Sequence, residues 1–243
     1  MRYFYLSLFI STISTLCIGH SFAQHPFFDP IPSSEWIEEH KDSLREALLT
    51  NKKVPADFEH SILAALMYFP DLERTHINFK KRSLTTTMAA LPTVGSIFRK
   101  RENRRYSILI NYKKNKRKAP LIENVPFEAR VGVLGHELGH IVDYNRKSFI
   151  RIIGNGIAYS VSNGFRRNLE HKIDQITINR GLGEGLYAFR LYIEEEAKTT
   201  ERYRRFKENI YLSSSEIVKM IESLNDLAVE NGETFTESTS NVY

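Results

Sequence analysis

The stretch "VGVLGHELGHIVDY" (131–144) sets His136 and His140 four residues apart, with Glu137 directly after the first. Residues four apart on a helix project from one face, a turn from each other. Two imidazoles placed this way can bind one Zn²⁺, and the adjacent glutamate can reach a water on the metal. Zinc brings the pKa of such a water toward roughly 7. A carboxylate beside it can then take the proton as general base. The chemistry would be metal-assisted hydrolysis. The competing account is two helical histidines satisfied by local hydrogen bonds, so the rest of the chain has to supply further ligands.

Catalytic zinc is usually held by three protein ligands, with a fourth position open. "NLEHKIDQITINRGLGEG" (168–185) carries Glu170 and Asp174 four apart on an expected helix, hence on one face. One carboxylate can bind the metal. The other can accept the free N–H of a ligand histidine and fix its tautomer. His171 is a rival third ligand, but it lies about 100° round the helix from Glu170 and leaves the carboxylate pair unexplained. The plainer reading of that pair is a solvated face matched to Lys172 or Arg167.

With both helices in view, the chain resembles the gluzincin metallopeptidases. "HELGH" (136–140) is similar to their zinc-binding helix, and "EHKID" (170–174) to their glutamate helix, loosely in the thermolysin-like or HtpX-like style. The resemblance covers residues 124–185, about a quarter of the 243-residue chain. It implies a zincin-like fold with His136, His140 and Glu170 as Zn²⁺ ligands, Glu137 as general base, and Asp174 behind His136. The chain departs from the HtpX-like pattern: it lacks strong membrane spans after residue 23, and His171 and Ile173 stand where an "EAD" run is common. No residue matches the family's oxyanion-stabilising group. Tyr187, Arg180 and Tyr144 are candidates by proximity along the chain, Tyr187 first, since it follows the Gly183–Gly185 turn. Its rival role is a place in the helical core with Leu186 and Phe189.

The elements that must carry these residues can be read outward from the motif. Asn124 is a candidate cap and Pro126 suits the first turn of a helix over 126–144. Phe127, Val131, Leu134, Leu138 and Ile141 form its core stripe, and the histidines point away from that stripe. Gly132, Gly135 and Gly139 each cost about 1 kcal/mol relative to alanine in a helix, so some element packs closely on the backbone there. Upstream, Ser33 or Ser34 caps a helix running to about residue 51, and "PADFEHSILAALMYFP" (55–70) reads as a second helix. β-Branched and aromatic residues between 75 and 113 predict two to four strands. In zincins such a sheet precedes the zinc helix, and an edge strand can hold an extended peptide by backbone hydrogen bonds. From Pro126 onward nearly everything reads as helix, broken near 162–164, 179–185 and 212–216. The apolar "FIRIIGNGIAYSV" (149–161) is too short to span a bilayer; it could wall the substrate cleft or touch a membrane surface, but its expected place is the core. The fold class is α+β, a small sheet followed by the metal helix and a mostly helical C-terminal part.

Composition narrows the setting. Residues 1–23 form a short positive start, an apolar run and a small-residue "SFA", a pattern of secretory signal peptides with cleavage after Ala23. Cys17, the sole cysteine, lies inside that segment. It is preceded by Leu16, with Ser14 three before, so a lipoprotein signal is not matched. The exported chain would have no disulfide and no thiolate ligand. Lys and Arg total 34 against 29 Asp and Glu. The clusters "FRKRENRR" (98–105) and "KKNKRK" (113–118) read as solvated hairpin and loop, with no nucleic-acid motif beside them. Residues 24–230 are expected to form the metallopeptidase domain, and 231–243 a polar, loose tail. The expectation is an exported zinc peptidase acting on peptides or proteins, with no nucleic-acid partner and no transmembrane span in the mature chain. A non-catalytic, metal-stiffened binding or scaffold protein is the alternative, and retention of Glu137 speaks against it.

Overall fold

A computed structural model describes residues 30–113 and 119–230. The expected signal peptide, most of the second basic cluster and the polar tail lie outside the described residues. The order is α1 (Ser34–Glu39), α2 (Lys41–Leu48), β1 (Lys52–Lys53), α3 (Glu59–Met67), β2 (His76–Arg82), β3 (Met88–Pro92) and β4 (Arg105–Asn111). Then come α4 (Phe127–Asn145), α5 (Phe149–Val161), α6 (Asn163–Thr177), α7 (Gly183–Leu191), α8 (Glu201–Ile210) and α9 (Ser214–Glu230). The class is α+β, as read from the sequence.

The first helix is capped by Ser33, whose side chain accepts from the backbone N–H of Trp36. It does not run on to residue 51: the chain turns at His40 and restarts as α2. The sheet has the order β1-β2-β4-β3, with β2 parallel to β1 and β4, and β3 antiparallel to β4. β3 is therefore an edge strand, paired on one side only among the described residues. Pro126, and not Asn124, occupies the N-cap position of α4. Asn124 instead closes a short 3₁₀ turn, Ile122–Asn124, and extended backbone at Val125 leads into the helix.

The histidine-bearing helix α4 is more deeply set than an amphipathic stripe implies. Every residue from Val131 to Asp143 is buried. α4 packs against α3, α6, α7 and β3, so its histidine face is enclosed by protein as well. The glycines make this possible. A Cβ on Gly132 would lie 2.0 Å from the backbone carbon of Gly185, so α4 and α7 cross backbone to backbone. A Cβ on Gly139 would sit 3.1 Å from the Ile173 side chain of α6. The close neighbour foreseen for the glycines is thus the helix pair that includes the Glu170 helix. Between α6 and α7 the chain passes through a π-helical segment, Ile178–Leu182, in which Gly181 has φ 89°. That positive φ suits glycine and redirects the chain.

The basic cluster at 98–105 is mostly exposed, but Arg104 is buried. Its Nη1 donates to the carbonyls of Tyr144 (3.2 Å) and Lys147 (2.8 Å), tying off the C-terminus of α4. A cation there also complements the helix dipole. Among the described residues no helix is long and apolar enough to cross a membrane.

Candidate metal centre

α4 and α6 lie side by side, and their facing turns bring His136, His140 and Glu170 together. One ligand atom from each lies within 4.8 Å of the others, and all three residues are buried. Glu170 Oε2 is 3.0 Å from His136 Nε2 and 3.4 Å from His140 Nε2. Ligands about 2.0–2.1 Å from a tetrahedral ion stand roughly 3.3 Å apart, so these separations match a site for one ion. The donors, two imidazole nitrogens and one carboxylate, suit a borderline divalent cation such as zinc.

Surrounding groups hold two of the three, His136 and Glu170, by the atom a metal would not need. His136 Nδ1 is 2.7 Å from Asp174 Oδ1, a contact that in the neutral ring makes Nδ1 the N–H donor and would leave Nε2, 3.0 Å from Glu170 Oε2, to a metal. Tyr159 donates its hydroxyl to Glu170 Oε1 at 2.5 Å, leaving Oε2 facing the histidines. Asp174 is itself fully enclosed. Arg190 Nη2 donates to both its oxygens, at 3.0 and 3.1 Å, and the Leu212 N–H donates to Oδ2 at 3.1 Å. Arg190 Nε completes the ring by donating to the Leu212 carbonyl.

The electrostatics of this cluster call for positive charge. Burial works against a charged His136, but Asp174 and then Glu170 outweigh it and raise its pKa to about 9. Burial likewise opposes the Glu170 charge, yet His140 and His136 hold its carboxyl well below the usual range. Burial also opposes ionisation of Asp174, and Arg190 foremost, then His136, keeps its pKa low. Arg190 balances the Asp174 carboxylate, while the Glu170 carboxylate faces the two imidazoles, a donor set that could hold a cation.

Glu137 is buried, and no hydrogen bond or ion pair engages its carboxylate among the described residues. It lines a cleft of about 690 Å³ with His140 and Glu170. That volume lies within the range of small-ligand and substrate sites. β3 with its flanking residues forms one wall, and α5 forms another through Ile152, Ile153 and Gly156. Tyr144, Tyr159 and Tyr211 also line it.

The expected auxiliary residues are distributed differently. Tyr187 is not at the cleft. It packs against the small core of Ile178, Leu186, Leu212 and Ile217, because the Gly185 side of α7 is the one pressed on α4. Arg180 binds Asp71 at 2.7 Å and lies over Phe69, away from the His136–His140–Glu170 cluster. Tyr144 does reach the cleft, stacked on His140, but its hydroxyl points to the Ala90 carbonyl at 3.4 Å. His171 is half-buried and outside the ligand cluster. Lys172 binds Asp143 at 2.8 Å and Arg167 binds the Asn209 carbonyl at 2.6 Å, so neither pairs with Glu170 or Asp174.

Three contributors have no signal in sequence spacing: Tyr159, Arg190 and Tyr211. Tyr211 lies with its ring centroid 5.6 Å from that of His136, over Arg190 (4.6 Å) and Lys207 (4.0 Å). Burial, with Glu170 next, raises its hydroxyl well above the ordinary tyrosine value, so it stays protonated. Among the described residues no hydrogen bond occupies that hydroxyl, in contrast to Tyr144 and Tyr159.

Comparison of the chain with protein-family models, with curated proteins and with solved structures finds no match. The functional reading therefore rests on the site.

Proposed function

We propose that this protein is an exported zinc metallopeptidase of gluzincin type with a zincin-like arrangement, hydrolysing peptide bonds in a peptide or protein substrate. The observation that carries the reading is a free, buried Glu137 carboxylate in the cleft beside a His136–His140–Glu170 set in which Asp174 holds the far nitrogen of His136 and Tyr159 the far oxygen of Glu170. His136, His140 and Glu170 would hold the zinc, which when bound supplies a Lewis acid and an activated water. Glu137 accepts the proton of the attacking water and returns it to the leaving amine. Asp174 keeps His136 in the tautomer that presents Nε2. Tyr211 carries the only cleft tyrosine hydroxyl, among the described residues, without a partner, and it donates to the developing oxyanion. The open edge of β3 takes an extended peptide by strand addition.

A scaffold that merely binds metal would share the ligands but make no use of Glu137. The test separates the two. Elemental analysis of the purified, dialysed chain is expected to find near one zinc per molecule, lost in Glu170→Ala. A peptide-library digest should show cleavage that falls by roughly 10²–10⁴-fold in Glu137→Gln, the usual share of a general base. Zinc retained with no cleavage in wild type would assign the scaffold role. No zinc would return the histidines to packing.

A further inference from the structure

α5 departs from its expected place in the core. Only Ile152 of its residues is buried. Phe149, Ile150, Ile153, Ile157 and Val161 recur at helical spacing and are exposed by 40–80%. Val94 (97%) and Phe98 (67%) stand beside them on the segment after β3. The Phe98 and Phe149 ring centroids are 5.8 Å apart, which joins the two segments into one apolar face. Single exposed apolar residues need no explanation, but a contiguous set does.

Charge around this face is of one sign. Arg99, Lys100 and Arg101 follow Phe98 and are exposed, as are Arg146 and Arg151 on the α5 side. No acidic residue occurs between Tyr144 and Leu169, and Glu102 is the lone one from 93 to 105. Protruding apolar side chains with a cationic border match the boundary between acyl chains and anionic headgroups. A protein partner would call for a mixed polar rim.

We propose that α5 and the 94–101 segment form a docking face for an anionic lipid bilayer. Residues of both segments also wall the cleft, among them Val94, Phe98, Ile153 and Gly156. Docking would therefore set the cleft mouth at the bilayer surface. The choice of membrane-surface peptides as substrates rests on the peptidase reading, while the docking itself does not.

The test is site-resolved, because residues 1–23 could bring the full chain to vesicles on their own. In a Cys17→Ser background, Ile157→Cys on α5 and, separately, Ser223→Cys on α9 are labelled with an environment-sensitive fluorophore. Phosphatidylcholine vesicles containing phosphatidylglycerol should shift the emission at 157 to the blue and make it quenchable by nitroxide in the acyl chains. The label at 223 should stay as in water. Binding at 157 should weaken by about tenfold or more on pure phosphatidylcholine or at high salt. Adding Ile150→Glu should abolish the shift. A chain that co-sediments with vesicles while the 157 label stays aqueous overturns the proposal, as does an equal response to neutral vesicles or an equal shift at 223. A vesicle-independent shift that grows with protein concentration assigns the face to a second copy and overturns it too. Emission is read without turnover, so failure of the peptidase reading leaves this result intact.

Discussion

Asp174 Oδ1 stands 2.7 Å from Nδ1 of His136, the ring nitrogen on the side opposite Glu170. Among the described residues the aspartate has no other partner than His136, Arg190 and the Leu212 amide, and it is fully buried. Its role is to orient, so its removal should act first on metal affinity. Asp174→Asn is expected to lower zinc affinity by about 10–100-fold in competition with a chromogenic chelator. Asp174→Ala should also strand the buried Arg190 guanidinium and cost about 3–5 kcal/mol in denaturant unfolding. Unchanged zinc affinity in both variants would separate Asp174 from the site.

Two glycine-to-alanine changes should have opposite signs. At Gly132 a Cβ meets the Gly185 backbone at 2.0 Å, and backbone cannot rotate aside as a side chain can. Gly132→Ala must push α4 from α7, at a cost in the upper part of the ~1–3 kcal/mol range of overpacked cores or beyond it. At Gly154 on α5 nothing lies within 4 Å. Gly154→Ala should stabilise by up to about 1 kcal/mol through helix propensity alone. Thermal melts of the two variants beside wild type decide this, and equal effects would contradict the crossing geometry.

The contrast between these glycines also shows what could be read from the chain. Glycine cost inside a helix is local, so a triplet in α4 announced a close neighbour. Which neighbour required the fold. The span of α4 was legible to one residue at each end, and the breaks at Ser162, near Gly181 and before Ser214 fell where glycine and serine interrupt the pattern. Glu170 and Asp174 were legible because four-residue spacing encodes a shared face. Spacing carries nothing about Tyr211 or Arg190, which arrive through the turn after α8 and through α7. Tyr187 took the second of the two places open to it, the core beside Leu186, because nearness in the chain does not say which side of α7 meets α4. The apolar run of α5 misled because a buried and an exposed apolar face have the same periodicity. His40 splits the first helix although the apolar spacing of Leu44 and Leu48 continues past it.

Asp143 offers a pH-dependent prediction outside the His136–His140–Glu170 cluster. It is buried and ion-paired to Lys147 and, at 2.8 Å, to Lys172. Burial opposes its charge, but the two lysines hold its pKa below the ordinary 3.8. A carboxyl with a depressed folded pKa adds stability above its unfolded pKa and loses it as pH falls through the folded value. Wild type should therefore exceed Asp143→Asn in stability at neutral pH by about 1–2 kcal/mol, at or below the lower end of the range for a charged hydrogen bond because Lys172 is half exposed. The gap should close only below pH 3.8. Unfolding curves for both proteins across the acid range check this, and a gap that closes already near neutral pH would assign it to another group.

Among the three cleft tyrosines, only the Tyr211 hydroxyl has no hydrogen-bond partner among the described residues, and burial keeps it protonated. Tyr144 uses its hydroxyl on the Ala90 carbonyl, and Tyr159 on Glu170. If Tyr211 serves the oxyanion, the interaction exists only as charge develops, so its loss should lower kcat and leave KM nearly unchanged. Tyr211→Phe is expected to reduce kcat by about 10²-fold or more, the usual effect of losing one oxyanion donor. The phenyl ring keeps its place against His136 and Arg190, so zinc content and melting temperature should hold. Tyr144→Phe should keep kcat within a few-fold, since its lost hydrogen bond is long and contributes on the order of 1 kcal/mol to the fold. Steady-state kinetics on a peptide selected from the library digest, run for both variants, separates the two tyrosines. Equal kcat losses would move the oxyanion role away from Tyr211.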